Sequence, residues 1–184
     1  MSARDIRPSG VERFFGLDEI IVSKTNPTGL ITYTNDVFIR VSGYTEQELI
    51  GAPHSLIRHP QMPRAVFKLL WDTIESGREI FAYVLNMSKT GDHYWVLAHV
   101  TPTFGAKGDI VGYHSNRRVP ARSAVDRIWP IYQRLLAEEA RHERKLDGVA
   151  AATRLLGEVL QGAGLTYDEF VWALTNEASP REAA

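Results

Sequence analysis

Residues 80–117 read IFAYVLNMSKTGDHYWVLAHVTPTFGAKGDIVGYHSNR. Three runs rich in aromatic and β-branched residues, 80–87, 93–104 and 110–117, suit strands. The connectors Lys89-Thr90-Gly91-Asp92 and Gly105-Ala106-Lys107-Gly108-Asp109 carry turn residues. The stretch therefore predicts three consecutive antiparallel strands. Strict alternation puts Trp95, Leu97 and His99 on one face of the middle strand and Tyr94, Val96 and Ala98 on the other.

Working upstream, residues 19–25 hold Ile20, Ile21 and Val22 and read as a strand. Asn26-Pro27-Thr28-Gly29 is a turn, and 30–34 a second strand, so the first unit is a hairpin. Residues 36–41 and 45–50 read as short helices, the second opened by a capping box of Thr45 and Glu48. Residues 53–63, dense in prolines and polar groups, read as irregular. A longer helix runs from Pro63 to Gly77 on the stripe Val66, Phe67, Leu70, Trp71 and Ile74. Val11, Phe14 and Phe15 are spaced for a short helix at 11–17, behind a loose arm at 1–10. The order β-β-α-α-α-β-β-β predicts an α+β domain: a five-stranded antiparallel sheet with short helices on one face.

Downstream, Pro120 marks a boundary. Val125, Ile128, Trp129, Tyr132, Leu135 and Leu136 share one helical face, with Pro130 expected to kink that helix or to start it. Asp147 is placed to cap a second helix, ended by Gly162 and Gly164. Thr166 with Glu169 opens a third. The expected organisation is an arm and short helix at 1–18, an α+β domain at 19–119, a helical extension at 120–176 and a disordered tail at 177–184. The stripe on the first tail helix is expected to be buried within the chain or to hold two copies together as a homodimer.

Composition excludes several function classes. The 184 residues carry a net charge of −1, which gives no basic footprint for nucleic acid and no polybasic membrane anchor. There is no cysteine, hence no disulfide, zinc thiolate, iron–sulfur cluster or cysteine adduct to a flavin. No run of 18 apolar residues is present, and the charged start has no apolar segment after it; the cytoplasm is the expected location. No phosphate loop, nucleophile elbow or His-Glu-x-x-His occurs, so no enzyme is expected.

Three phrases carry a family resemblance. They are Gly43-Tyr44-Thr45-Glu46-Gln47-Glu48-Leu49-Ile50-Gly51, the segment from Pro53 to Pro63 containing Arg58-His59-Pro60-Gln61-Met62-Pro63, and Asn86 followed by Lys89-Thr90-Gly91-Asp92-His93-Tyr94-Trp95-Val96. Together with Thr101-Pro102 and Gly112-Tyr113, over roughly 25–118, they resemble the FAD-binding PAS domains of bacterial aerotaxis receptors. The family usually has an acid where this chain has Gln61, and often Trp where it has Phe81. The resemblance implies a PAS fold, an FAD cofactor, redox or oxygen sensing, and relay to a protein signalling partner in an aerotaxis-like pathway. A haem b gas sensor, with His59 as the axial ligand, and a cofactor-free dimerising scaffold stay open beside it.

The expected cofactor-binding residues are Asn35, His54, Arg58, His59, Phe81, Asn86 and Trp95. An amide suits the pyrimidine edge of a flavin because it both donates and accepts, which points to Asn35 and Asn86. For Asn35 a helix cap, and for Asn86 a turn role, are the competing readings. Arg58 offers a planar fork to a pyrophosphate and His59 a further donor. His54 is a candidate adenine or ribose contact. Phe81 and Trp95 are expected to wall the ring slot or to serve as plain core.

Overall fold

The computed structural model describes residues 6–178. Two strands, β1 (Ile21–Thr25) and β2 (Ile31–Thr34), form the first hairpin. Next come α1 (Asp36–Ser42), α2 (Glu46–Leu49), a single 3-10 turn at His54–Ile57 and α3 (Arg64–Glu75). Strands β3 (Ile80–Met87), β4 (His93–Phe104) and β5 (Ile110–Arg118) complete an antiparallel sheet in the order β2-β1-β5-β4-β3. The expected α+β class and antiparallel sheet are present.

Local chemistry sets the element ends. Thr45 Oγ1 accepts from the Glu48 N–H while the Glu48 carboxylate accepts from the Thr45 N–H, a complete capping box at α2. The same reciprocal pair, Thr166 and Glu169, opens the last helix. Gly43 ends α1 at φ 73°, a left-handed position that an L side chain resists.

The N-terminal segment departs from expectation. Residues 11–17 form no helix. Ser9 N–H donates to Gly91 O and Arg13 N–H to His93 O, and Glu12 bridges His93 in parallel. Ser9 and Arg13 side chains both reach the Asp92 carboxylate at 2.8 Å, and Arg13 also donates to Thr90 Oγ1 and Val41 O. Hydrogen bonds from Ser9, Arg13 and Thr90 hold the Asp92 carboxyl below its usual pKa. An apolar triplet over five residues cannot nucleate a helix against that many long-range bonds. Residues 9–13 are thus a strap on the β3–β4 turn, while residues 1–5 of the expected arm lie outside the described residues.

Three helices follow: α4 (Arg122–Ala140), α5 (Lys145–Ala163) and α6 (Tyr167–Ala178). α4 runs unbroken through Pro130, so the helix does not start there. Asp147 lies in the first turn of α5 and is not its cap. Gly164 ends α5 in the left-handed region, as its position suggests. The chain divides into two compact units, residues 1–60 with 72–119, and 61–71 with 120–184. The second unit was not anticipated to include 61–71, the first two turns of α3 and the segment before them. Within it, α4 packs on both α5 and α6, and Glu139 of α4 accepts the Ala65 N–H at the start of α3 at 2.9 Å. Gly148 of α5 lies directly on the Glu139 backbone, where any Cβ would come within 2.6 Å of its carbonyl oxygen. Val125, Ile128, Tyr132 and Leu135 are buried within the single chain. Trp129 and Leu136, the other two residues of the stripe, are half-buried. The tail expected at 177–184 lies, from 179 on, outside the described residues.

Candidate functional site

Cross-strand partners share a face of a sheet, so the register sorts the candidate residues. Asn86 pairs with Tyr94, Ala82 with Ala98, and Ala98 with Arg117. One step along β5, Ser115 pairs with Ser23, which pairs in turn with Thr34. Asn86, Tyr94, Arg117, Ser23 and Thr34 therefore lie on one face. That face looks toward the helices: the Phe38 ring of α1 sits 4.4 Å from the Arg117 guanidinium carbon, and His54 Nε2 meets Ser23 Oγ at 3.2 Å.

Phe81 and Trp95 are on the other face. Phe81 pairs with His99 and stacks on it with ring centroids 4.1 Å apart, and Trp95 pairs with Leu85. Phe81 and Trp95, expected as slot walls or as plain core, thus do not share the face that carries Asn86. In β3 both faces are apolar and buried from Ala82 to Leu85, so alternation alone could not choose between them.

Asn35 does not join the set either. Its amide oxygen accepts the Phe38 N–H at 3.1 Å and the Val22 N–H at 3.0 Å, and its amide nitrogen donates to Ile20 O at 2.8 Å. It caps α1 and ties that helix to β1, the competing reading of this residue.

The remaining candidates converge. Arg58 and Asn86 form an isolated backbone bridge, which pins the Arg-His-Pro segment to the end of β3. Asn86 is buried, and so is His59, whose ring stands edge-on to His93 with centroids 5.9 Å apart. Burial, with His93 close by, lowers the His59 pKa to about 4. His54 stacks on Phe38 at 6.2 Å; burial first, and the Arg117 charge second, lower its pKa to about 3. Both imidazoles are neutral at pH 7, so His59 is no cation for a phosphate. Among the described residues no cluster of three or more His, Asp or Glu could hold a metal ion.

Arg117 is the residue that sequence reasoning missed. It is 2% exposed, its Nη2 donates to Ser23 Oγ, and its Nε and Nη1 have no partner. Burial lowers its pKa to about 10, which still leaves it charged at pH 7. Tyr94 Oη and Thr34 Oγ1 are likewise buried without partners. Interior polar groups are normally paired, because an unmade bond costs on the order of 1–3 kcal/mol. An interior that is apolar at Ile21, Phe38 and Val96 yet carries several unmet donors fits a flat, acceptor-edged group such as a flavin ring.

The two histidines give a pH signature. Their folded pKa values lie below the usual value of about 6.5, so the unfolded chain takes up protons that the folded chain refuses. Their contribution to stability is complete above about pH 6.5 and is lost as the pH falls toward 4 and 3. Between pH 6.5 and 5, before carboxylates titrate, the urea midpoint is expected to fall. A His54→Gln chain should show a shallower fall. Equal slopes would mean that His54 is protonated in the fold.

The family model for the PAS fold matches residues 31–117. The chain is 42% identical over 120 residues to the aerotaxis receptor of Escherichia coli, covering 65% of this chain and 24% of the receptor. It is 25% identical over 139 residues to the nitrogen fixation regulatory protein of Klebsiella pneumoniae, covering 76% of this chain and 27% of that protein. It thus spans roughly a quarter of the length of either relative. Among solved structures, a light-oxygen-voltage domain studied with a flavin analogue superposes with a TM-score of 0.54 at 17% identity, over 62% of this chain and 86% of that one. The PAS domain of a Colwellia psychrerythraea protein does so with 0.51 at 19%, over 54% and 85%. These structural likenesses speak for the fold. No helix among the described residues is long and apolar enough to cross a membrane.

Proposed function

From a chain whose residues 31–117 form a PAS sensory domain, we propose a flavin-binding sensor, with FAD as the cofactor and redox state or oxygen as the stimulus. The observation that carries this reading is the set of buried, unpartnered polar atoms on the helix-facing side of the sheet, the face that also carries Asn86, to which Arg58 is bridged. The 42% identity to an aerotaxis receptor supports the choice of cofactor and stimulus. Bound flavin would supply a ring whose reduction changes its charge and hydrogen bonding.

The chain's own residues would hold and orient it. The Asn86 amide both donates and accepts at the end of β3. Arg58, fixed by its backbone bridge to Asn86, offers its guanidinium to the phosphates. His54, held neutral between Phe38 and Ser23, is a polar but uncharged wall. β5 carries Ser115 and Arg117 on the pocket side and leads directly through Pro120 into α4, a covalent route from the pocket to the helical unit. The relay ends on a protein partner. A homodimer on the α4 stripe is not part of this reading.

The test is the visible spectrum of the full chain, as purified and after incubation with FAD. Flavin bands, with FAD recovered on denaturation, are the expected result. An intense Soret band would establish the haem reading instead. A chain that stays colourless after incubation would be a scaffold, and the proposal would fail.

A further inference from the structure

We propose that Arg117 is the ligand anchor of the PAS interior, its guanidinium, on which Nε and Nη1 have no partner, donating to a carbonyl of the bound flavin ring. This rests on the flavin reading above. Three observations lead to it.

The first is an unbalanced charge. Arg117 is buried, and no carboxylate among the described residues pairs with it. A buried cation with unmade bonds costs the fold free energy, and an apolar residue of similar volume would serve stability better. The neighbouring His54 is neutral and cannot act as a counter-ion. A residue that costs the empty fold stability is explained by what it does when the ligand is present.

The second is orientation. The Phe38 ring covers the guanidinium at 4.4 Å, and Ser23 Oγ takes Nη2. Two of the approaches to this planar group are therefore occupied. The N–H of Nε and those of Nη1 remain, pointing to different sides of the guanidinium, so each is left to take an acceptor of its own.

The third is breadth. The other unpartnered atoms are on different strands, Thr34 on β2 and Tyr94 on β4. Those strands are three places apart in the sheet, about 14 Å at the usual spacing. A chloride or a phosphate could satisfy Arg117 but not groups so far apart. An extended flat ring system with acceptors along its rim spans them.

The experiment uses the full chain with Arg117→Met and Arg117→Lys, and FAD as the probe. Arg117→Met is expected to weaken FAD binding by about 10- to 100-fold, the loss of charge-assisted hydrogen bonds, while the ligand-free protein melts no lower than the wild type. Arg117→Lys, which keeps the charge but not the planar guanidinium, should retain part of the affinity and shift the flavin carbonyl stretches in the infrared spectrum. Unchanged FAD affinity in Arg117→Met would overturn the anchor and leave the flavin reading standing. So would a lower melting temperature without loss of affinity, the mark of a structural arginine. Should Arg117→Met not fold, carbonyl bands in Arg117→Lys identical to wild type would overturn it equally. If the wild type binds no FAD but phosphate alone raises its melting temperature, and Arg117→Met abolishes that rise, the site is a small-anion site and both readings fall.

Discussion

A chain ending at Val119 is expected to lose several kcal/mol of stability, although it retains every strand of the sheet. The reason lies in residues 61–71, which belong to the compact unit made by the tail helices. Removing 120–184 takes away Glu139, whose carboxylate accepts the Ala65 N–H in the first turn of α3, where a helix leaves its N–H groups without partners. That carboxylate also sits at the positive end of the helix, and its loss alone costs about 1 kcal/mol. Residues 61–71 further contain the buried Met62, Ala65, Val66 and Leu70. Each large apolar side chain brought back into water costs about 1.5–3 kcal/mol, so re-exposing even two outweighs the lost cap. Urea unfolding followed by circular dichroism measures the sum, and Glu139→Ala in the full chain isolates the cap. A truncated chain with the full chain's midpoint would show that α3 is held by the first unit alone. The expected loss also bears on function, because α3 follows the Arg58–Pro63 segment directly. Freeing the first turn of α3 would free that segment at its C-terminal end.

The residues show why some of this was legible in sequence and some was not. Capping boxes were readable because their signal spans four residues and their partners are each other, as at Thr45 with Glu48 and Thr166 with Glu169. Strands β3 and β4 were bounded correctly because glycine-containing turns flank runs of β-formers. The face of the sheet was not readable, since Ala82, Tyr83, Val84 and Leu85 are all buried and the pattern carries no polar side. Nothing in that pattern separates the face of Trp95 from the face of Tyr94. Arg117 was passed over because a strand reading Tyr-His-Ser-Asn-Arg looks like a solvated edge. Its period-2 partners Tyr113 and Ser115 are the only local sign that it turns inward. The grouping of 61–71 with the tail depends on contacts between residues some 75 positions apart, as Ala65 and Glu139 are, and no window of sequence holds both.

Gly112→Ala is expected to disrupt the sheet although it adds one methyl group. Gly112 lies in β5 opposite Thr103, and a Cβ built there would stand 2.3 Å from the Thr25 carbonyl oxygen. The clashing atom is backbone, so no side chain can swing away; β1 and β5 must part or the strand must bend. Overpacking a tight interior costs about 1–3 kcal/mol, and a backbone-against-backbone collision belongs at or above the upper end. Thr25 also pairs with Tyr113, so the displacement enters the stretch of β5 that carries Ser115 and Arg117 on the helix-facing side of the sheet. Flavin affinity is therefore expected to fall along with the urea midpoint. Gly157→Ala supplies the opposite sign in the same chain. Gly157 is inside α5, and its added Cβ would meet nothing within 4 Å. Alanine there stabilises the helix by about 1 kcal/mol through its lower backbone entropy in the unfolded state, with no change in flavin affinity expected. The comparison decides between geometry and composition. If both substitutions raise the midpoint, the close approach of Gly112 to Thr25 does not constrain the sheet, and β1 and β5 have room that this structure denies them.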